Sequence, residues 1–342
     1  SVTTLARALG KGHQLAMGTE DGRVIPVAIE FTQDFQGNER SIAPSVTVGT
    51  PMVAAPTPQP ITKMAYQSTD SDVRVAALLQ DQHLWLTTSR SVSRPDGTAE
   101  ASTTQVDLTS SIPGRVTAIT LASRAELLAV GTEEGKVYHF DLREPAKPGL
   151  VDTTQASEGS DAITALAYLM SDRSLVVGDA SGQIAVWMPV REHAATNTTH
   201  MTRIHRFAPH QSAVTDITIS QRDKGFMTTD AKGEIRLHHS TSEQTVLTFA
   251  PQQGVLRSTY FSPKADGLVG LAENDRLVHY DISNPYPEIT LATLFSPVMY
   301  EGYDRPELVW QSSSGSDDFE AKFSLTPLIF GTIKGTIYAV LL

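Results

Sequence analysis

The chain has 342 residues, of which 40% are apolar and 19% are charged, as in an ordinary globular protein. It contains no cysteine, so it has no disulfide framework, no thiolate metal site and no cysteine nucleophile. The formal net charge of −11 disfavours contact with nucleic acid and with anionic lipid head groups, and we therefore expect no nucleic-acid partner.

A pattern of an apolar strand, a tight polar turn and an alternating strand recurs along the chain. The second copy is the weakest, and the copies begin, in chain order, at Gln14, Val75, Leu127, Ser174, Gly225 and Gly267. A short hairpin needs residues that accept positive φ, which glycine does most readily. We therefore predict as structural turn residues Gly22, Gly135, Gly182 and Gly233, with Gln82 and Asp275 at the same place in the remaining copies.

The spacing of the repeat indicates the fold. Successive turn positions are 42 to 60 residues apart, and a four-stranded propeller blade occupies roughly 40–50 residues. A third strand precedes each hairpin, as in the stretches that begin at Val116 and Ile163. The pattern predicts an all-β fold, a β-propeller with four-stranded WD40-like blades, most simply six of them, with seven as the alternative. Because the likeness to WD40 repeats over residues 1–290 is loose, we expect their buried Asp–His network to be mostly missing.

The sequence carries no catalytic signature. It has no Walker loop, no Gly-x-Ser-x-Gly elbow and no His-Glu-x-x-His. Four histidines lie close together, but their spacing matches no compact zinc site, and solvated loop histidines are the expected outcome for His193, His200, His205 and His210. We therefore expect no enzyme activity, no catalytic residue, no cofactor and no metal.

One polar stretch has the chemistry of an anion or partner contact. The segment "SSSGSDD" provides consecutive hydroxyl and backbone donors that could hold an oxyanion such as phosphate, from Ser312, Ser313, Ser314, Gly315 and Ser316. The two aspartates that follow would oppose an anion. A flexible loop is the alternative interpretation.

The end of the chain is strongly apolar, since Lys334 is the only charged residue between Phe323 and Leu342. Two interpretations are open. Gly331 and Gly335 repeat the Gly-x-x-x-Gly spacing of an earlier blade turn, which favours a seventh hairpin. The same run could instead begin a membrane-spanning helix, which needs about 20 apolar residues.

Residues 300–342 resemble the permease subunit of bacterial phosphate ABC transporters, in the stretch that leads into its second transmembrane helix. The resemblance is carried by "VWQSSSGSDDFE" at residues 309–320 and by "LTPLIFGT" at residues 325–332. Some of these permeases have a large soluble insert between their first and second transmembrane helices, and that insert faces the periplasm.

The resemblance implies a domain division and a function. It implies a propeller at 1–290, a periplasmic connector at 291–322 and the start of a truncated transmembrane helix at 323–342, which in an isolated fragment could become a seventh-blade hairpin. Both ends of the chain are then expected to be cuts in a longer protein. The chain would be a non-catalytic periplasmic domain of a phosphate permease, an interaction platform that assists phosphate uptake.

The implied partners and location follow from the same resemblance. They are a periplasmic phosphate-binding protein, the other membrane permease subunit and the ATPase subunit, in a bacterial inner-membrane protein whose present fragment is periplasmic. The alternative is a free-standing scaffold or sensor propeller that binds a peptide or a small ligand.

Overall fold

The computed structural model describes residues 1–10, 13–36, 39–93, 99–192, 198–252, 254–283, 286–316 and 319–341. The chain folds into six consecutive antiparallel sheets, which are the blades of a β-propeller. The predicted all-β, six-blade propeller with four-stranded WD40-like blades is therefore confirmed. The chain divides into two compact units, Ser1–Ile163 and Thr164–Leu342.

The first unit contains three blades. Blade 1 has a short extra strand that pairs with its third strand, and it comprises β1 (Val2–Arg7), β2 (Gln14–Thr19), β3 (Arg23–Gln36), β4 (Glu39–Val48) and β5 (Met52–Val53). Blade 2 comprises β6 (Ile61–Ser68), β7 (Asp72–Leu79), β8 (Leu84–Ser93) and β9 (Ala99–Asp107). After a 3₁₀ turn at Thr109–Ser111, blade 3 comprises β10 (Val116–Leu121), β11 (Leu127–Thr132), β12 (Lys136–Asp141) and β13 (Gly149–Gln155).

The second unit contains the remaining blades and the C-terminal segment. Blade 4 comprises β14 (Ile163–Tyr168), β15 (Leu175–Asp179), β16 (Ile184–Arg191) and β17 (Thr199–Phe207). Blade 5 comprises β18 (Val214–Ile219), β19 (Gly225–Asp230), β20 (Ile235–His239) and β21 (Gln244–Phe249). Blade 6 comprises β22 (Leu256–Phe261), β23 (Gly267–Ala272) and β24 (Leu277–Asp281). The last elements are α1 (Leu291–Phe295), β25 (Trp310–Gln311), β26 (Lys322–Phe323) and α2 (Thr326–Leu341).

The hairpin turns lie where the sequence pattern places them. Their φ angles are +74°, +75°, +89° and +84° at Gly22, Gly135, Gly182 and Gly233. Gly182 illustrates the requirement, since a Cβ there would lie 2.5 Å from the carbonyl oxygen of His210, on the main chain of the next loop. The position therefore excludes every larger residue on two grounds, its φ angle and its close main-chain neighbour.

The hydrophobic core lies between neighbouring blades. Blades 4 and 5 meet over buried aromatic and aliphatic side chains, among them Phe207 and Phe226, whose ring centres are 5.2 Å apart in an edge-to-face arrangement. Burying a side chain of this size contributes about 1.5–3 kcal/mol. Blades 5 and 6 meet over a second cluster that includes Met227 and Leu268. The alternation in the sequence produces both clusters, because alternate residues of a strand face the same neighbour.

The C-terminal apolar run is helical rather than strand-like, so the alternative of a seventh-blade hairpin is wrong. Gly331 and Gly335 lie about one turn apart inside α2, and neither has an atom within 4 Å of an added Cβ. A helix satisfies its own backbone groups, whereas a hairpin would need a sheet edge beside it. No residue of α2 is buried. Among the residues that the structure describes, no helix is long and apolar enough to cross a membrane. The domain boundaries at residues 290 and 322 stay predictions.

Candidate functional site

The segment that follows blade 6 packs back onto blades 4 and 5 of the same unit. We call its described part, residues 286–316 and 319–325, the C-terminal strap. Its contacts with blade 4 include the backbone N–H of Arg191, which donates to Asp304 Oδ1 at 3.1 Å. Its contacts with blade 5 include the Ser242 hydroxyl, which donates to the carbonyl of Pro287 at 2.7 Å. The strap is therefore held to two blades along its length.

A buried ion pair fixes the centre of the strap. Lys224, in the loop before β19, pairs its Nζ with Glu301 of the strap, and the two side chains are 2% and 7% exposed. The Ser171 hydroxyl of blade 4 donates to the same carboxylate oxygen, Oε2. One carboxylate thus joins two blades to the strap, in surroundings where an unpaired charge would be costly.

A second carboxylate, Glu320, lies beside the first. The backbone N–H of Glu301 donates to Glu320 Oε2 at 2.7 Å, and the Thr241 hydroxyl donates to Oε1. Burial raises the pKa of Glu320, the nearby Glu301 carboxylate adds to the rise, and the hydrogen bond from Thr241 opposes it. The strap therefore presents two neighbouring carboxyl groups. The Glu301 carboxylate accepts from both blades, and the Glu320 carboxylate accepts from blade 5 and from the Glu301 backbone.

Aromatic rings surround one cation of the strap, Lys322. Its Nζ lies 4.8 Å from the ring centre of Phe319 and 5.5 Å from that of Tyr300, and it donates to the Glu320 carbonyl at 2.9 Å. Burial lowers the pKa of Lys322. Burial also raises the pKa of Tyr300 to about 12. Within the described residues the Tyr300 hydroxyl has no hydrogen-bond partner, although the side chain is 1% exposed.

A cleft of about 590 Å³ opens beside this network, within the second unit. Blade 5, blade 6 and the strap each contribute to its wall, with residues 222–224, 239, 241, 264–266, 282–283, 287–288 and 319–321. The lining mixes apolar surface, such as Ile282 and Phe319, with charged groups of both signs. A cleft of this size is large enough for several side chains of a bound segment.

Carboxyl groups slightly outnumber cations in the cleft lining, which contains Asp223, Asp266, Glu288 and Glu320 beside Arg222, Lys224 and Lys264. Burial raises the pKa of Glu288, and the neighbouring charge of Asp223 adds to the rise. Burial also lowers the pKa of His239 to about 4, so this imidazole is neutral at pH 7. Over the described part of the chain, no lysine, arginine or histidine forms an ion pair with Asp223, Glu288 or Glu320. Of the three cations in the lining, Arg222 and Lys264 are exposed, whereas Lys224 is buried and paired with Glu301.

Blade 5 contains a buried histidine network that the sequence had not predicted. His210 Nε2 lies 2.7 Å from the Thr228 hydroxyl, which lies 2.9 Å from His238 Nε2. His210 Nδ1 lies 3.0 Å from a Glu234 oxygen and 3.8 Å from an Asp230 oxygen. This blade therefore has the Asp–His network that we expected to be mostly missing.

The same residues could be considered as metal ligands, since ligand atoms of His210, Asp230 and Glu234 lie within 4.8 Å of one another. Asp230 is already occupied, because it accepts backbone N–H bonds at 3.0 and 2.8 Å and a hydroxyl bond from Ser212 at 2.7 Å. These hydrogen bonds explain why the three residues lie together: the group supports the β19–β20 hairpin.

The other histidines of that region are partly accounted for. His200 is exposed, whereas His205 and His210 are buried, so the expectation of solvated loop histidines is wrong for these two. His193 lies outside the described residues.

The serine-rich stretch is separate from the cleft lining. Ser312, Ser313, Ser314, Gly315 and Ser316 are all exposed, and the backbone N–H of Ser316 donates to the Ser314 hydroxyl at 3.4 Å. Asp317 and Asp318 lie outside the described residues. A phosphate or partner contact at these serines stays a prediction.

Sequence reasoning missed the charged residues Lys224, Glu301 and Glu320. Each looks like a surface residue when read singly. A signal was nevertheless present, because the blade repeat breaks down after residue 285 and the two glutamates follow aromatic residues, Tyr300 and Phe319. Charged residues beside aromatic residues in a segment outside the repeat indicate a segment that packs against the repeat.

Residues 103–283 match the sequence model of a family described as nucleolar protein 10-like, N-terminal domain. The chain belongs to this family. The match runs from within β9 to just beyond β24 and covers more than half of the chain. None of the curated proteins matches the chain.

Several solved structures have the same fold as this nucleolar protein 10-like chain. The Cps50 (Swd1) β-propeller domain of Myceliophteria thermophila is 15% identical, with a TM-score of 0.56 over 83% of this chain and 84% of that one. Chaetomium thermophilum Sqt1, solved bound to the N-terminus of the ribosomal protein L10, is 16% identical, with a TM-score of 0.54 over 82% and 72%. A chain of a mitotic checkpoint complex is 16% identical, with a TM-score of 0.52 over 80% and 72%. At these identities the likeness concerns the fold alone.

The family match overturns the permease interpretation. The predicted resemblance to a phosphate ABC-transporter permease is wrong, because the match to the nucleolar protein 10-like family covers residues 103–283 whereas the permease-like stretch covers only residues 300–342. The prediction of a periplasmic domain that assists phosphate uptake is wrong with it. So are the predicted partners, namely the phosphate-binding protein, the second permease subunit and the ATPase subunit, and the predicted bacterial inner-membrane location.

Proposed function

We propose that this nucleolar protein 10-like propeller is a non-catalytic interaction platform whose cleft binds an extended, basic segment of a partner protein. The observation that carries the proposal is a pair of cleft carboxyl groups, Asp223 and Glu288, with which no lysine, arginine or histidine of the described chain forms an ion pair. A lysine or arginine side chain of a partner would supply the missing charge.

The pKa shifts in the cleft support a cationic ligand. Burial raises the pKa of both Glu288 and Glu320, which means that the surroundings disfavour their ionised forms. A cation placed beside either carboxyl group would reverse that effect, so its binding would be favourable. The net charge of −11 acts in the same direction, because it attracts basic partners at long range.

The hydrogen bonding in the cleft supports a binding role rather than catalysis. Both oxygens of Glu320 already accept hydrogen bonds, from Thr241 and from the Glu301 backbone. His239, whose pKa is lowered to about 4, is a poor proton acceptor at pH 7. Sqt1, a propeller of the same fold, was solved with the N-terminus of a ribosomal protein bound. This supports a segment of a partner protein, rather than a small molecule, as the ligand.

Three labelled peptides that differ only in charge test the proposal. Their repeating units are Lys-Thr-Val, Gln-Thr-Val and Glu-Thr-Val, and fluorescence anisotropy measures their affinity. We expect the lysine peptide to bind, and its affinity to fall about fivefold or more in Glu288→Gln, which removes one desolvated charge. Glu133→Gln is the matched control, since Glu133 is an exposed carboxylate outside the cleft. Equal binding of all three peptides, or equal effects of the two variants, would contradict the proposal.

A further inference from the structure

The aromatic ring of Phe319 lies between the cleft and a buried cation. Phe319 is half-buried and lines the cleft. The Nζ of Lys322 lies over this ring, 4.8 Å from its centre. Lys322 is 7% exposed and is not among the described residues that line the cleft. The ring therefore has an ammonium group against one face, while it also forms part of the cleft wall.

Lys322 differs from Lys224, which lines the cleft and is paired with Glu301. Within the described chain no carboxylate forms an ion pair with Lys322. Its Nζ donates to the Glu320 carbonyl at 2.9 Å and to Gln311 Oε1 at 3.4 Å. Burial lowers the pKa of Lys322, and the nearby Glu320 carboxylate opposes that shift. Aromatic faces and neutral oxygens thus hold this ammonium group, and no paired carboxylate cancels its charge.

A ring with a cation behind it suits an apolar ligand group better than a second cation. A ligand group in contact with the front of the Phe319 ring would lie within about 9 Å of the Lys322 ammonium, close to one Debye length at physiological ionic strength. A second cation at that place would be repelled. An aliphatic side chain would be favoured instead, because Ile282, Pro287 and Ala321 add further apolar surface to the cleft.

We infer that Phe319 is a specificity-determining residue of the cleft, against which the partner segment places a bulky apolar side chain next to its basic residue. Phe319 acts in two ways. It gives the apolar side chain a contact surface, and it keeps the Lys322 ammonium away from the cation that the cleft carboxyl groups attract. The preferred ligand is thus a segment in which basic and apolar residues are neighbours, rather than an uninterrupted basic run.

This inference rests on the proposed function, because it specifies which kind of basic segment the cleft binds. The two can nevertheless fail separately. The proposed function depends on the charge of the ligand, which the peptides with lysine, glutamine and glutamate vary. The inference about Phe319 depends on the apolar residues of the ligand, which those three peptides share.

Two labelled peptides of equal length and equal charge test the apolar contact on the unaltered chain. Their repeating units are Lys-Thr-Val and Lys-Thr-Ser, and fluorescence anisotropy measures their affinity. We expect the serine peptide to bind about fivefold or more weakly than the valine peptide. Phe319→Ala should remove most of this difference, whereas Phe319→Leu, which keeps an apolar side chain, should retain it.

A cycle with Lys322 tests the separation of the charges. Phe319→Ala should weaken the valine peptide about twentyfold, because the apolar contact is lost and the ammonium group faces the cleft, but only about fivefold in the Lys322→Met background. Tyr303→Ala is the matched control. The Tyr303 ring centre lies 5.7 Å from the same Nζ, but Tyr303 is not among the described lining residues. Its loss should change the affinity by less than about twofold.

Each outcome decides between the two proposals. Equal binding of the valine and serine peptides to the unaltered chain would overturn the inference and leave the proposed function standing, and this result does not depend on whether Phe319→Ala folds. An equal effect of Phe319→Ala in both backgrounds would also overturn it, because Phe319 would then not separate Lys322 from the ligand. Failure of both lysine peptides to bind would overturn the inference together with the proposed function.

Discussion

Removing the Glu301 carboxylate should detach the C-terminal strap and strongly destabilise the second unit. In Glu301→Ala the Lys224 ammonium, whose side chain is 2% exposed, loses its counter-ion. Removal of one partner from a buried pair costs about 3–5 kcal/mol. The Ser171 hydroxyl also loses its acceptor, which adds about 1 kcal/mol. These costs overlap, and release of the strap limits them, so we expect a loss of about 3–5 kcal/mol.

Urea unfolding followed by tryptophan fluorescence measures the effect, because Trp310 lies on the strap and Trp187 lies on blade 4. Lys224→Met and the double variant complete a cycle that isolates the pair from the other contacts of each residue. We expect the double variant to be less destabilised than the sum of the single variants by about 2 kcal/mol or more. Arg305→Ala is the control, since Arg305 forms an ion pair with Glu307 while its side chain is 81% exposed, and such pairs contribute little.

Two results would refute this reasoning. A loss below about 1 kcal/mol in Glu301→Ala would mean that water reaches Lys224 in the folded protein. Strict additivity in the cycle would mean that the two side chains stabilise the fold independently of each other. Either result would remove the ion pair as the reason for the strap's position.

Three further predictions concern the turn, the last helix and the buried histidines. Gly182→Ala should cost about 2–3 kcal/mol by chemical unfolding and Gly254→Ala about 1, because both have φ of +89° but only Gly182 would bring a Cβ within 4 Å of another group. Removal of residues 326–341 should leave the midpoint of thermal unfolding unchanged and should reduce binding of an apolar dye, since α2 buries no residue. Burial lowers the pKa of His238 to about 3, so its contribution to stability is fully present above the unfolded pKa of 6.5 and is lost as the pH falls from there towards 3. His238→Gln should flatten this fall, which amounts to about 1.4 kcal/mol per pH unit for one histidine, in urea midpoints measured against pH.

The repeat architecture was predictable because its signal is local. Each blade hairpin depends on alternation over a few residues and on one turn position with positive φ, as at Gly135 and Gly233. Even the unusual turn at Asp275, with φ of +61°, was found from its place in the repeat. A sequence of this kind specifies its strands and turns within short windows, so length and spacing were enough to predict six blades, with seven as the alternative.

The candidate site could not be predicted in the same way, because its contacts are distant in sequence. Glu301 contacts Lys224, 77 residues before it, and Ser171, 130 residues before it. No periodicity relates these positions. The permease resemblance failed for a related reason. It depended on a short stretch whose residues, such as Glu301 and Glu320, make their contacts with blades 4 and 5, which the resemblance did not include.

The described residues after β24 form no fourth strand in blade 6. In blade 5 the outer strand β21 begins at Gln244, and the equivalent stretch of blade 6 begins at Tyr286. That stretch contains Pro287, which has no N–H to donate to a neighbouring strand. It then reaches Thr290, which caps α1 by accepting the N–H of Thr293 at 3.0 Å and so commits the chain to a helix. This stretch therefore forms part of the strap instead of a fourth strand.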